Sequence, residues 1–90
     1  RVLGVSTVSE GALSYNITDV RFILQLAILS NCKGVVICIN QPSGDLEPAK
    51  LDDELVEQVK IALSYVDIDL LDYILYCEEG YYSYSDNGKL

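Results

Sequence analysis

The chain has 90 residues, half of them apolar, and a net charge of −8 from fourteen acidic and six basic residues. This length allows one domain at most, and the apolar fraction excludes a disordered chain. The acidic charge argues against direct binding to nucleic acid or to an anionic membrane surface, because both depend on clustered Lys and Arg.

The first third of the chain predicts a strand followed by a helix. Residues 2–8 alternate loosely and are rich in β-branched side chains, which is typical of a strand. A cap at Thr18 or Asp19 predicts a helix that runs to about Asn31 and ends in a left-handed turn at Gly34. Since this helix is apolar on nearly every side, we expect it to be buried on most of its surface.

The rest of the chain predicts a second strand, a loop, a second helix and two more strands. The apolar run 35–39 indicates a central strand covered on both faces. A loop over 40–48 leads to a helix from about 50 to 65, then to strands at 68–76 and 81–84. The order β, α, β, α, β, β predicts an α/β fold with one mixed β-sheet flanked by helices.

The cysteines indicate a reducing compartment. Cys32, Cys38 and Cys77 are far apart, and Cys38 lies in an apolar run, as a buried free thiol would. We therefore expect a cytoplasmic protein. No signal peptide is recognisable, and the longest apolar stretch, 22–29, is too short to span a bilayer. Because the chain has no Met, we expect a piece trimmed at its N-terminus.

Five tyrosines lie near the end of the chain: Tyr73, Tyr76, Tyr81, Tyr82 and Tyr84. They could form an aromatic binding surface. At alternate positions of strands, tyrosines more often pack half-buried on the sheet, and we favour that interpretation.

Four short motifs, in order and at similar spacing, resemble those of the RadC-like branch of the JAB/MPN metalloprotease family. The chain has V-V-I-C-I-N-Q-P-S-G-D at 35–45, P-A-K-L-D at 48–52, I-D-L-L-D-Y-I-L at 68–75 and Y-S-Y-S-D-N-G at 82–88. The corresponding family patterns are H-N-H-P-S-G-D after an apolar strand, P-S-x-x-D, I-x-L-L-D-H-I-I and Y-S-F-x-E-x-G. The S-E-G at 9–11 also resembles a short S-x-G segment. The match covers essentially the whole chain and implies the cytidine-deaminase-like architecture of a single JAB/MPN domain over 1–90.

The resemblance also implies what an active member needs. Two histidines and one aspartate hold a zinc ion, an upstream glutamate activates the zinc-bound water, and a serine supports the oxyanion. Imidazole and carboxylate ligands suit Zn²⁺ and leave one coordination position open. The ion then lowers the pKa of its water toward neutrality, and a nearby carboxylate takes the proton.

Most of those residue types are replaced here. Ile39 and Gln41 stand at the two histidine positions, Ala49 stands at the serine position, and Tyr73 replaces a further histidine. Asp52 alone keeps the ligand type, and at a helix start it is expected to be a capping carboxylate rather than a metal ligand.

The loop keeps its shape-determining residues. Pro42 fixes φ and Gly44 permits a positive φ, so the turn around Ser43 can persist without metal chemistry. We favour a well-formed turn between a strand and a helix. The alternative is a loop retained to bind something else through its polar groups.

Three weaker candidates for residual chemistry remain. The expected glutamate falls near Thr7, and Glu10 is a possible stand-in. Ser43 could act as a nucleophile, although only Lys50 is a basic neighbour in sequence. Carboxylates could hold Ca²⁺ or Mg²⁺ loosely, since both ions prefer oxygen ligands; the three concerned are Asp45, Asp52 and Asp72.

Two functions follow from the resemblance. The first is a domain of a bacterial family labelled DNA repair that has lost its zinc site, needs no cofactor, and acts as a non-catalytic structural or protein-interaction module. It would pair a sheet edge or its apolar helix with a protein partner or a second copy. The alternative is a diverged metal-dependent peptidase or isopeptidase-like hydrolase. We do not expect either version to bind nucleic acid directly.

Overall fold

The computed structural model describes the backbone of residues 2–8 and the whole of residues 20–90. Its elements are β1 (Val2–Val8), α1 (Val20–Leu29), β2 (Gly34–Asn40), α2 (Lys50–Ser64), β3 (Asp69–Cys77) and β4 (Gly80–Ser83). This order confirms the predicted α/β fold. The cap predicted at Thr18 or Asp19, the S-E-G segment and Glu10 lie outside the described residues.

The four strands form one mixed sheet in the order β1-β2-β3-β4. β1, β2 and β3 run parallel to one another, and β4 returns antiparallel to β3 through a tight hairpin that pairs Cys77 with Gly80. β2 is therefore an inner strand, as its apolar run predicts, and the mixed sheet is confirmed.

Both helices cover the same face of the sheet. Each connects a strand to the next parallel strand, and right-handed crossovers that advance in one direction place their helices on one side; α1 and α2 contact each other accordingly. Along β2, side chains on the helix side are buried, whereas Val36, Cys38 and Asn40 on the other side are only half-buried. The predictions that β2 is covered on both faces and that Cys38 is buried were therefore wrong.

Helix α1 is less buried than its composition predicts. Only Ile23 and Ala27 are buried, while Phe22, Ile28 and Leu29 are 47%, 52% and 83% exposed. A helix lying on one side of a sheet turns only part of its surface toward the sheet and its neighbouring helix. The prediction of burial on most sides was wrong for this reason.

The left-handed turn after α1 lies at Asn31 rather than at Gly34. Asn31 has φ 54°, and asparagine is the residue that tolerates this conformation best after glycine. Gly34 instead begins β2 under the side chain of Leu71, where an added Cβ would lie 2.6 Å from Leu71 Cδ1. Its lack of a side chain therefore serves close packing.

Helix α2 is amphipathic, as predicted, and supplies much of the core. Its buried side chains Leu55, Val56, Val59 and Leu63 pack in one cluster with residues of α1, β2 and β3. Among the described residues, no helix has the length and apolar character needed to cross a bilayer.

Candidate functional site

The loop after β2 is a tight turn fixed by backbone hydrogen bonds. The Gln41 N–H donates to the carbonyl of Tyr76 at 2.7 Å, which extends the pairing of β2 with β3 by one residue. The Gly44 N–H donates to the Gln41 carbonyl at 3.0 Å, so Pro42 occupies the second position of the turn, where its fixed φ is favoured. Gly44 has φ 83°, which explains the glycine there.

Ser43 lies exposed in this turn and its hydroxyl serves the local backbone. Its Oγ accepts a hydrogen bond from the Asp45 N–H at 3.3 Å, and Asp45 Oδ1 accepts one from the Glu47 N–H at 3.1 Å. These are the short side-chain-to-backbone bonds by which Ser and Asp stabilise turns.

Helix α2 begins after this loop with half of a capping box. Ala49 is the N-cap residue, and its N–H donates to Asp52 Oδ2 at 2.8 Å. The reciprocal bond needs an oxygen on the N-cap side chain, which alanine lacks. Asp52 thus caps the helix from within its first turn.

The other oxygen of Asp52 accepts a hydrogen bond from the neighbouring strand. The Tyr73 hydroxyl on β3 donates to Asp52 Oδ1 at 2.9 Å, and Tyr73 is only 1% exposed. Burial, followed by the charge of Asp52 and the hydrogen bond to it, raises the pKa of Tyr73 far above its usual value. The hydroxyl therefore keeps its proton and remains a donor.

Ile39 and Gln41 lie on the same side of the sheet as this pair. Ile37 pairs with Tyr73 and Ile39 with Leu75, and alternate residues of a strand share a face. Ile39 is buried and Gln41 is half-buried. The backbone of Thr7 pairs with that of Ile39, so the position near which the upstream glutamate aligns is adjacent in the sheet.

The resemblance assigns the ligand positions to Ile39, Gln41 and Asp52. Their side chains are a buried hydrocarbon, an amide and a carboxylate whose two oxygens both accept hydrogen bonds. Among residues 2–8 and 20–90, no three His, Cys, Asp or Glu side chains are grouped so that they could hold a metal ion. Asp72 precedes Tyr73 on β3 and points to the opposite face, so it does not share a site with Asp52.

A second tyrosine–aspartate pair lies beside the first, and neither pair was predicted from the sequence. The Tyr84 hydroxyl donates to Asp53 Oδ1 at 2.7 Å, and the rings of Tyr73 and Tyr84 meet edge to face with centroids 5.2 Å apart. Burial, then the bond to Asp53, raises the pKa of Tyr84 well above its usual value. The only signal in the sequence was two consecutive acids at a helix start and two tyrosines, one within β3 and one just after β4.

On the opposite face of the sheet, Asp72 forms a third network. Its Oδ2 accepts from the Ser83 hydroxyl at 2.5 Å, and its Oδ1 accepts from the N–H groups of Tyr73 at 2.7 Å and Ser85 at 3.0 Å. Partial burial, and then the charge of Asp72, raises the pKa of the Cys38 thiol on the same face. This network is structural, because its acceptors are occupied by the chain itself.

Comparison with known proteins identifies the family. The model of the RadC-like JAB domain family matches residues 1–89. A UPF0758 protein of Flavobacterium johnsoniae is 32% identical over 88 residues, which is 98% of this chain and 38% of that protein. UPF0758 proteins of Thermotoga maritima and Rubrobacter xylanophilus are 32% and 34% identical over 89 residues, 99% of this chain and 40% and 39% of theirs. The chain spans about two fifths of the length of these curated relatives. It belongs to the RadC-like JAB domain family.

Proposed function

We propose that this chain is a RadC-like JAB domain that has lost its zinc site and acts as a non-catalytic structural or protein-interaction module. One observation carries the proposal. The Asp52 carboxylate, the one retained ligand type, already accepts hydrogen bonds at both oxygens, from the Tyr73 hydroxyl at 2.9 Å and from the Ala49 N–H at 2.8 Å.

The residues at the two histidine positions support the loss of the zinc site. A zinc site of the family's type needs two imidazoles and a carboxylate around one open position. Ile39 offers a buried hydrocarbon and Gln41 an amide, and the whole chain has no histidine. These residues do not fit the ion, and we derive no hydrolytic step through it.

The hydrolase alternative has no comparable support. A serine nucleophile requires an activating base within hydrogen-bond reach. Ser43 is exposed, and the hydrogen bond found at its hydroxyl comes from the backbone N–H of Asp45. Asp45, Asp52 and Asp72, the carboxylates considered for Ca²⁺ or Mg²⁺, do not form a cluster within the described residues.

A role in protein interaction is supported by apolar side chains that the domain leaves in contact with solvent. Phe22, Ile28 and Leu29 on α1 and Tyr65 at the end of α2 are among the large exposed hydrophobic residues. We propose that a protein partner or a second copy covers part of this helical layer. The net charge of −8 favours a protein over DNA, so any role in DNA repair would be indirect. Cytoplasmic location is likewise a proposal.

The first test is the metal content of protein purified without chelator, followed by calorimetric titration with zinc at tens of micromolar. We expect neither copurified metal nor heat of binding. Close to one equivalent of metal would overturn the proposal. So would chelator-sensitive peptide or isopeptide hydrolysis that disappears in a folded Asp52→Ala variant.

A gel-shift assay at low salt tests the expected absence of direct DNA binding separately. Low salt favours phosphate contacts, so any electrostatic binding would be strongest there. A complex that weakens steeply as salt is added would contradict the charge argument.

A further inference from the structure

We propose that Asp52, Asp53, Tyr73 and Tyr84 form a metal-independent clamp, which we call the tyrosine clamp. It holds the start of α2 on the sheet and lowers the affinity of Asp52 for a cation. The inference rests on the proposed loss of the zinc site and explains what has taken the place of the metal.

The tyrosine clamp connects one end of α2 to two segments of the sheet. Two consecutive acids in the first turn of α2 accept hydrogen bonds from two separate segments. Tyr73, 21 residues after Asp52, donates from β3, and Tyr84, 31 residues after Asp53, donates from just beyond β4. The clamp thus joins one helix end to two parts of the sheet, as a multidentate ion would do.

The two tyrosine rings of the clamp are held firmly in place by their packing. Tyr73 and Tyr84 are each 1% exposed, and their rings are in edge-to-face contact. The Tyr84 N–H also donates to the Tyr73 carbonyl at 3.0 Å. A buried hydroxyl without a partner is costly, so each tyrosine depends on its aspartate. Because the two rings pack against each other, a shift of one ring would also move the other. We therefore expect the two hydrogen bonds to hold the start of α2 cooperatively.

A lysine lies beside the Asp53 carboxylate of the clamp. Lys89 Nζ lies 3.7 Å from Asp53 Oδ1 and 5.3 Å from the centroid of the Tyr84 ring. Both charged side chains of this ion pair are substantially exposed, so it adds little stability. It nevertheless places a positive charge beside Asp53, which offsets part of the repulsion between the adjacent carboxylates.

The hydrogen bonds to Asp52 would compete with a metal ion for its carboxylate. A cation that approached Asp52 would compete for the charge of its carboxylate with the Tyr73 hydroxyl at Oδ1 and the Ala49 N–H at Oδ2. Removing the hydroxyl frees Oδ1 from its hydrogen bond, whereas adding imidazoles leaves both oxygens hydrogen-bonded. Histidines at 39 and 41 should therefore bind zinc more weakly while Tyr73 is present than after its hydroxyl is removed.

Unfolding in urea tests the clamp in the full chain. Tyr73→Phe and Tyr84→Phe remove one hydroxyl each and keep the rings. We expect each to lower the folding equilibrium constant about tenfold or more, as for other buried hydrogen bonds to charged groups. The double variant should lose less than the product of the two single losses, because breaking one bond already loosens the shared helix end.

The matched control is Tyr65→Phe, since Tyr65 is 84% exposed and its hydroxyl has no hydrogen-bond partner in the described part of the chain. Single variants no less stable than this control would overturn the clamp. Losses that multiply in the double variant would show two independent bonds and would also overturn it.

Zinc calorimetry on Ile39→His/Gln41→His, with and without Tyr73→Phe, tests the competition. We expect binding at least about tenfold tighter without the hydroxyl, the factor that one such hydrogen bond represents. Equal affinities would overturn the proposed competition between the Tyr73 hydroxyl and the metal. If the buried Ile39→His prevents folding, the urea comparison of Tyr73→Phe and Tyr84→Phe with Tyr65→Phe decides the proposal.

The two proposals can fail separately. Zinc binding by the unaltered chain would refute the proposed function itself. A chain that binds no zinc, with tyrosine variants as stable as Tyr65→Phe, would refute the tyrosine clamp alone.

Discussion

The carboxylate of Asp72 accepts a hydrogen bond of 2.5 Å from the Ser83 hydroxyl, which joins β3 to the end of β4 on the sheet face opposite the tyrosine clamp. Ser83 is nearly completely buried, and its Oγ also accepts from the Asp86 N–H at 3.1 Å. Asp72 and Ser83 belong to two of the motifs by which the chain resembles its family. The two motifs thus supply a structural contact between segments that are separate in sequence.

Asp72→Ala should therefore lower the free energy of unfolding by about 2 kcal/mol, because it leaves a buried hydroxyl and two backbone N–H groups without their acceptor. Asp72→Asn should cost less, since one acceptor oxygen remains. Urea titration at neutral pH measures both. Asp69→Ala, at an exposed position of the same strand, is the control; if it destabilises as much as Asp72→Ala, the Asp72 network is not the cause.

The order of elements was predictable because each element has a local signal. The run 35–39 is apolar and β-branched, and 50–65 repeats apolar residues at helical spacing. The turn was predictable for the same reason, since Pro42 and Gly44 act through their own backbone angles.

The burial of α1 and the tyrosine clamp were not predictable, because they depend on long-range geometry. Composition shows that Phe22 and Leu29 are apolar, but not that both helices lie on one face of the sheet. Likewise, Tyr84 and Asp53 are 31 residues apart and meet only when β4 has paired with β3. The residues at the ligand positions implied by the resemblance could be read from the sequence, whereas the hydrogen bonds at Asp52 could not.

Ala49→Ser should stabilise the domain by about 1 kcal/mol, the usual contribution of a helix N-cap side chain. Ala49 already has extended N-cap angles, φ −85° and ψ 166°, and lacks only the oxygen that would accept from the first-turn N–H groups. The midpoint of thermal unfolding should rise. Ala62→Ser, inside α2, cannot cap and should lower it slightly; a fall in both variants would contradict the half-complete capping box.

Gly44→Ala should destabilise the loop by about 1 kcal/mol through backbone strain alone. Gly44 has φ 83°, and an added Cβ would meet no atom within 4 Å, so crowding plays no part. Gly80→Ala is the comparison, because a Cβ there would also be uncrowded and Gly80 is not in the left-handed region. Urea unfolding that affects both equally would show that the positive φ is not what requires glycine at 44.

Alkaline pH should destabilise the protein through the two clamp tyrosines. Burial and the adjacent aspartates raise the pKa of Tyr73 and Tyr84 in the folded state, whereas tyrosines in an unfolded chain ionise near pH 10. Above about pH 10 the unfolded state therefore binds fewer protons than the folded state. The free energy of unfolding should then fall by up to about 1.4 kcal/mol per pH unit for each tyrosine, and these groups should have no effect at lower pH.

Urea titrations between about pH 9 and pH 11 measure this slope across the range where unfolded tyrosines ionise. The Tyr73→Phe/Tyr84→Phe variant begins less stable but should lose stability more slowly as pH rises, because phenylalanine has no proton to release. Tyr65→Phe, which alters a hydroxyl exposed in both states, should keep the slope of the unaltered chain. Parallel slopes for the unaltered chain and the double variant would mean that the two clamp hydroxyls ionise as readily in the folded protein as in the unfolded one, contrary to their burial against Asp52 and Asp53.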